Sequence, residues 1–157
     1  MHESQSGQPG GGAEPPEAMA ARVRASFGRQ AMMATLGVRL SAVRRGRVEL
    51  VMDHDGRFTQ QHGFMHAGAI AAVLDSACGY AAFTVMTPDA AVLTAAYTIN
   101  LLAPAAGQRF VMTGEVVRAG RTLVVCRGEA AADGGTAPFA VMQATLSAVY
   151  DRPGMTH

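Results

Sequence analysis

From Ala67 to Ala82 the chain reads Ala-Gly-Ala-Ile-Ala-Ala-Val-Leu-Asp-Ser-Ala-Cys-Gly-Tyr-Ala-Ala, and Asp75 is the only charged residue in the run. A helix of that composition is apolar on nearly every face, so it is stable only when other elements enclose it. Asp is a poor choice for a helix interior, because its short side chain competes for the backbone. An unpaired buried carboxylate is also costly and responds by raising its pKa. An acid kept where an apolar residue would be more stable marks a place for chemistry. The plain alternative is a carboxylate that reaches the protein edge or a partner that satisfies it.

The flanking sequence indicates what encloses the helix. Residues 1–16 are Gly, Pro and polar, which predicts a disordered tail, and residues 17–157 are predicted to form one domain. A helical pattern runs from Glu17 to about Thr35, with Met19, Val23, Phe27 and Met32 or Met33 on one side. Leu36–Val43 and Val48–Met52 alternate as strands around a turn at Arg44-Arg45-Gly46-Arg47. Beyond the central helix, strands are predicted at Leu93–Leu102, Arg109–Arg118, Arg121–Ala130 and Phe139–Tyr150, the middle two joined by a tight hairpin at Ala119-Gly120. In the last, Ala140, Met142, Ala144, Leu146, Ala148 and Tyr150 alternate with polar or small residues, giving one apolar face. With no alternation of strands and helices, a doubly wound sheet is disfavoured. The expected fold class is α+β, an antiparallel β-sheet wrapped around one long central helix.

Composition excludes several function classes. The net charge of +1 gives no electrostatic footprint for nucleic acid. Arg22, Arg24, Arg29, Arg39, Arg44, Arg45 and Arg47 make the first third basic, which reads as a solvated face or as a surface for the phosphates of a soluble cofactor. Two cysteines, Cys78 and Cys126, lie in apolar stretches and are read as buried thiols. Met1–Gly12 lacks a signal-peptide pattern, and the apolar run is broken by Asp75, so neither export nor a membrane span is expected. The expected location is the cytoplasm.

The segment Gln60-Gln61-His62-Gly63-Phe64-Met65-His66-Ala67-Gly68 sets polar groups just ahead of the helix. Helix N-termini present unpartnered N–H groups and a partial positive charge, so the amides of Ala67 and Gly68 are candidates to hold a developing oxyanion. His54, His62 and His66 lie near Asp53 and Asp55, yet no zinc-ligand spacing fits them, and no nucleophile-elbow motif is present. Ala67 and Asp75 are eight residues apart, about 12 Å along one helix at about 1.5 Å per residue. An acid and an oxyanion donor serving the same carbonyl must each lie about 3 Å from the reacting atoms. If both act, the acid comes from one subunit and the amide from its neighbour, which predicts a two-fold dimer.

Gln60, His66-Ala67-Gly68, Asp75 and Gly79, followed by Thr94, Tyr97, Ile99-Asn100-Leu101 and Pro104, resemble the hotdog-fold acyl-CoA thioesterases of the phenylacetate-pathway (PaaI-type) branch. The similarity runs from about Ala34 to Tyr150. It implies a hotdog fold, assembled as a homodimer or a homotetramer built from two dimers. It implies that Asp75 is the catalytic carboxylate, general base or nucleophile, and that the Ala67 N–H polarises the thioester carbonyl. Gln60 falls where the family orients the carbonyl or water, His66 on the His that shapes the helix start, and Thr94 on a residue that holds the attacking water. The family's usual His-Gly-Gly is His-Ala-Gly here, and Ala tolerates positive φ poorly. No role is assigned to His62; Tyr80 and Phe83 are read as core or acyl-pocket lining.

The expected activity is hydrolysis of an acyl-CoA to a free acid and coenzyme A, with no cofactor other than the coenzyme A carried by the substrate. The rival readings are a non-catalytic acyl-CoA binding module and a hotdog dehydratase or hydratase. The latter requires a His–carboxylate pairing in a different motif, which the sequence does not contain.

Overall fold

The computed structural model describes Glu14, residues 16–151 and residues 153–154. The predicted tail therefore falls outside the described residues except at its end, where Pro16 is already helical and the Glu14 carboxylate pairs with Arg22 at 2.8 Å.

The N-terminal pattern is two helices rather than one, α1 (Pro16–Phe27) and α2 (Ala31–Thr35). The chain breaks at Gly28, whose poor helix propensity ends the first segment. Met19, Val23 and Met33 are buried, whereas Met32 faces outward. Next come β1 (Arg39–Arg44) and β2 (Arg47–Asp53), joined at Gly46, whose φ of 78° only glycine adopts cheaply. A 3-10 turn at Gly56–Phe58 leads to the central helix, α3 (Ala67–Phe83). The remaining strands are β3 (Ala91–Leu101), β4 (Arg109–Ala119), β5 (Leu123–Ala132) and β6 (Ala140–Val149). The β4–β5 turn is longer than a tight Ala119-Gly120 hairpin: Gly120 N–H bonds the Leu123 carbonyl, and β5 begins two residues later than predicted. Tyr150 lies past the end of β6 and is exposed.

All six strands form one antiparallel sheet in the order β1-β2-β4-β5-β6-β3. Helix α3 packs against β2, β3, β4, β5 and β6, so the sheet curls around it. Ile70, Val73, Leu74, Ala77, Cys78 and Phe83 are almost wholly buried, each large side chain contributing about 1.5–3 kcal/mol. Two glycines let the helix sit this close. Gly114 on β4 and Gly128 on β5 face each other across the ladder. A Cβ at Gly114 would come within 2.3 Å of the Ala77 carbonyl, and one at Gly128 within 3.0 Å of Cys78 Sγ.

The C-terminus of α3 is tied down by cations, which complement the carbonyl end of a helix. Arg22 stacks 4.1 Å over the Phe83 ring and donates to the carbonyls of Phe83 and Met86, while Arg45 reaches the Thr84 carbonyl. Thr84 is fully buried, donating to Ala81 O and accepting from Gly46 N–H. Arg39 and Arg47 pair with Asp53 and Glu115. Much of the N-terminal arginine cluster thus holds helix and sheet together.

Candidate active site

Asp75 lies at the midpoint of α3, half-buried, with Oδ1 accepting a 2.8 Å hydrogen bond from Thr94 Oγ1 on β3. A β-bulge between Thr94 and Ala96 makes this contact possible. Without it, strict alternation with Tyr97, Ile99 and Leu101 would turn Thr94 to the opposite face of the sheet. With it, Thr94 pairs opposite buried Leu146 and points to the helix side. No cation pairs with Asp75 among the described residues. Burial therefore lifts its carboxyl pKa above the ordinary 3.8, and the Thr94 hydrogen bond only partly opposes the rise. The carboxylate opens into a cavity of about 130 Å³ that Ser26, Gln30, Ser76, Tyr80 and Val92 also line.

The start of α3 is built differently. His66 is the N-cap, extended at φ −63° and ψ 136°, and its Nδ1 accepts from the Gly68 N–H at 2.9 Å. The Ala69 and Ile70 amides both donate to the His66 carbonyl. Three of the first four helical N–H groups are thereby satisfied. The Gly68 N–H is thus engaged by the N-cap side chain. Ala67 N–H is the one left without an assigned partner among the described residues. Ala67 also has no positive φ, so the change from the family's glycine costs it nothing.

Ala67 and Gln60 line a second, larger cavity of about 490 Å³, walled by Phe64, Ile70, Leu101 and Phe139. Gln60 sits in a short turn closed by its backbone bonds with Phe64 and Gly63, and its Oε1 accepts from the His62 amide. That bond gives His62 a backbone part in shaping the turn, while its ring is exposed. The His54 ring contacts the Gly63 carbonyl at 3.2 Å, and Asp55 caps the 3-10 turn through the Arg57 amide. The Arg57 guanidinium holds the Asp55 carboxyl down at about 2. Among the described residues, no group of three or more His, Cys, Asp or Glu could hold a metal ion.

The six predicted site residues thus fall into two groups on one helix: Asp75 with Thr94, and Ala67 and Gln60 with His66 and Gly68 behind them. Asp75 and Thr94 line one cavity and Gln60 and Ala67 another, while His66 and Gly68 face a third. Sequence reasoning missed Ser26 and Gln30, which α1 and the α1–α2 turn bring to Asp75. Gln30 is the N-cap of α2 yet makes no side-chain capping bond, leaving its amide directed elsewhere.

A family model described as the thioesterase superfamily matches residues 62–138, a span that holds all of α3, β3, β4 and β5. A solved thioesterase family protein from Silicibacter pomeroyi is 52% identical, with a TM-score of 0.82, matching 85% of this chain and 99% of its own. The PaaI protein from the phenylacetic acid degradation operon of E. coli shares the fold at 20% identity and a TM-score of 0.76, over 83% of this chain and 93% of its own. A thioesterase from Haemophilus influenzae does so at 19% and 0.74, over 88% and 93%. No curated protein matches the chain. Among the described residues no helix is long and apolar enough to cross a membrane. With a half-identical relative matched over nearly its full length, the chain belongs to the thioesterase superfamily of thioester hydrolases and shares its hotdog fold with PaaI.

Proposed function

We propose that the protein hydrolyses acyl-CoA thioesters in a site shared by two copies of the chain. The observation that carries this reading is the separation of the two polar groups along α3. Asp75 and Thr94 line one cavity, Ala67 and Gln60 another, with about 12 Å of helix between the two backbone positions. One thioester carbonyl cannot reach both within a protomer. The sheet supplies a means of joining them. Among the described residues, strand β3 is an edge with no partner on its outer side, and it exposes Leu93, Tyr97 and Leu101. An unpaired apolar edge is a template for a second strand, and β3 of another copy related by a two-fold axis fits that template. Pairing there runs two α3 helices side by side in opposite directions, bringing Asp75 of each towards Ala67 of the other.

In the shared site the Ala67 N–H and the helix dipole stabilise negative charge on the carbonyl oxygen, with Gln60 orienting the group. Asp75 takes a proton from water held by Thr94, or attacks the carbonyl carbon itself. When Asp75 acts as base, the tetrahedral oxyanion collapses, the C–S bond breaks, and the coenzyme A thiolate leaves with the proton that Asp75 took from water. When Asp75 attacks, the same collapse expels the thiolate and leaves an acyl–Asp75 anhydride. Water then cleaves the anhydride to the free acid, its proton going to the thiolate as the carboxylate is restored. Water supplies the oxygen of the free acid, so no redox partner enters the balance. Two buried free cysteines, Cys78 and Cys126, fit a reducing compartment such as the cytoplasm.

Coenzyme A release from acyl-CoA substrates, followed with a thiol reagent, tests this reading. Asp75→Asn is nearly isosteric and keeps an oxygen for Thr94, so it should fold and lose about 10²–10⁴-fold in kcat. Wild-type turnover in folded Asp75→Asn would refute the assignment.

A further inference from the structure

The two cavities differ in chemistry as well as size. Around the cavity of about 490 Å³, Gln60 is the single polar side chain among eleven lining residues. Around the cavity of about 130 Å³, six of eight lining residues carry a polar side chain: Ser26, Gln30, Asp75, Ser76, Tyr80 and Thr94. Catalysis accounts for Asp75 and Thr94, and leaves the other four unexplained. They form one linked group: Ser26 Oγ lies 3.2 Å from Tyr80 Oη, Ser76 Oγ donates to Gln30 Oε1 at 3.4 Å, and the Gln30 side chain also hydrogen-bonds Tyr80. A hydroxyl offers one donor and two acceptor sites, and a Gln side chain two donors and two acceptor sites. These three internal bonds still leave donor and acceptor capacity on the cavity wall. A pocket meant for a plain alkyl chain is lined by apolar side chains instead.

We infer that this cavity receives the acyl group, and that Ser26, Gln30, Ser76 and Tyr80 select short acyl groups bearing a hydroxyl or oxo substituent. The inference rests on the acyl-CoA hydrolase reading above. Three considerations support it. The reacting carbonyl must sit beside Asp75, at the mouth of this cavity. The pantetheine arm is far too large for it and has the wider apolar cavity as its route. A volume of about 130 Å³ takes about four groups of the size of a water molecule. That suits an aliphatic chain with about four heavy atoms beyond the carbonyl better than a long chain or an arylacetyl group. A site built to hydrogen-bond a substrate hydroxyl discriminates strongly against the analogue that lacks it, because its own polar groups are then left unpaired. Ser26 and Gln30 come from α1 and the turn after it, so the N-terminal helices act as a specificity wall delivered onto the hotdog sheet.

The test is a panel of coenzyme A thioesters of butanoate, 3-hydroxybutanoate, octanoate and phenylacetate, in two arms. Hydrolysis is measured with the wild type, and binding with Asp75→Asn by calorimetry. The inference predicts kcat/KM for 3-hydroxybutanoyl-CoA about tenfold above that for butanoyl-CoA, from about one net hydrogen bond, with octanoyl- and phenylacetyl-CoA poorer still. Gln30→Met and Ser26→Ala should each reduce that ratio towards one, chiefly by losing turnover of 3-hydroxybutanoyl-CoA, with circular dichroism and a cooperative thermal melt showing that the variants fold. A ratio of one in the wild type, preference for octanoyl or phenylacetyl, or a ratio unchanged by both substitutions overturns the inference and leaves the hydrolase reading standing. If no thioester on the panel is cleaved, the hydrolase reading fails, and the binding arm alone decides the pocket. Tenfold tighter binding of 3-hydroxybutanoyl-CoA than of butanoyl-CoA supports the assignment, and equal binding overturns it.

Discussion

Burial disfavours the charged form of Asp75, and this has a consequence for stability. Its folded pKa lies above the unfolded value, so the native state holds the proton more tightly than the unfolded chain. Wild-type stability therefore declines as pH rises from the unfolded pKa through the folded one, and stays reduced above it. Asparagine carries no charge to desolvate. Asp75→Asn should consequently melt at a higher temperature than the wild type at pH 7, and the gain should shrink as pH falls through the raised pKa, a trend that thermal melts across pH 3–7 check. A lower melting temperature for the variant at pH 7 would mean that the charge is stabilised by something other than Thr94. The residue itself was legible in the sequence, as the one acid in a helix that must be enclosed. Its partner was harder to see. Period-two alternation turns Thr94 away from the helix, and only the bulge after it restores the contact. A bulge has no signature in the residues Thr94-Ala95-Ala96, so Thr94 could be named from the family resemblance and not from the strand pattern.

At the scale of the element, α3 was found almost to the residue because its apolar run is bounded by His66 and by the change of composition near Pro88. What holds it was not visible. Gly114 and Gly128 read as ordinary weak points in strands, and only the pairing of β4 with β5 makes them a saddle for Ala77 and Cys78. Gly114→Ala forces helix backbone away from the sheet and should cost about 1–3 kcal/mol or more, read as a drop in denaturation midpoint with an unchanged slope. The helix start permits a cleaner probe of chemistry. Proline is favoured at the first helical position, where its missing N–H is not needed for the helix. His66 already has the extended conformation that a following proline requires. Ala67→Pro should therefore fold like the wild type and delete only the proposed oxyanion donor, lowering kcat by about 10²–10³-fold. Near-normal kcat in a folded Ala67→Pro would remove Ala67 from the mechanism. The two N-terminal helices were read as one because Met19, Val23, Phe27 and Met33 keep a single period across the break. The turn at Gly28 matters to function, since it is what lets Gln30 reach α3.

For the whole molecule, the shared-site mechanism requires that two chains exchange opposite ends of an enclosed helix. The sequence implied this through spacing alone, and the exposed apolar edge at β3 supplies a surface on which it can occur. The decisive measurement mixes two inactive proteins, Asp75→Asn and Ala67→Pro, unfolded together and refolded at equal concentration. A mixed dimer then pairs the intact Asp75 of one chain with the intact Ala67 amide of the other, rebuilding one site of its two. With half of the dimers mixed at random, about a quarter of wild-type activity should return. If activity stays at the level of the separate variants although mixed dimers form, both groups serve a site within one chain, and the shared-site mechanism is wrong.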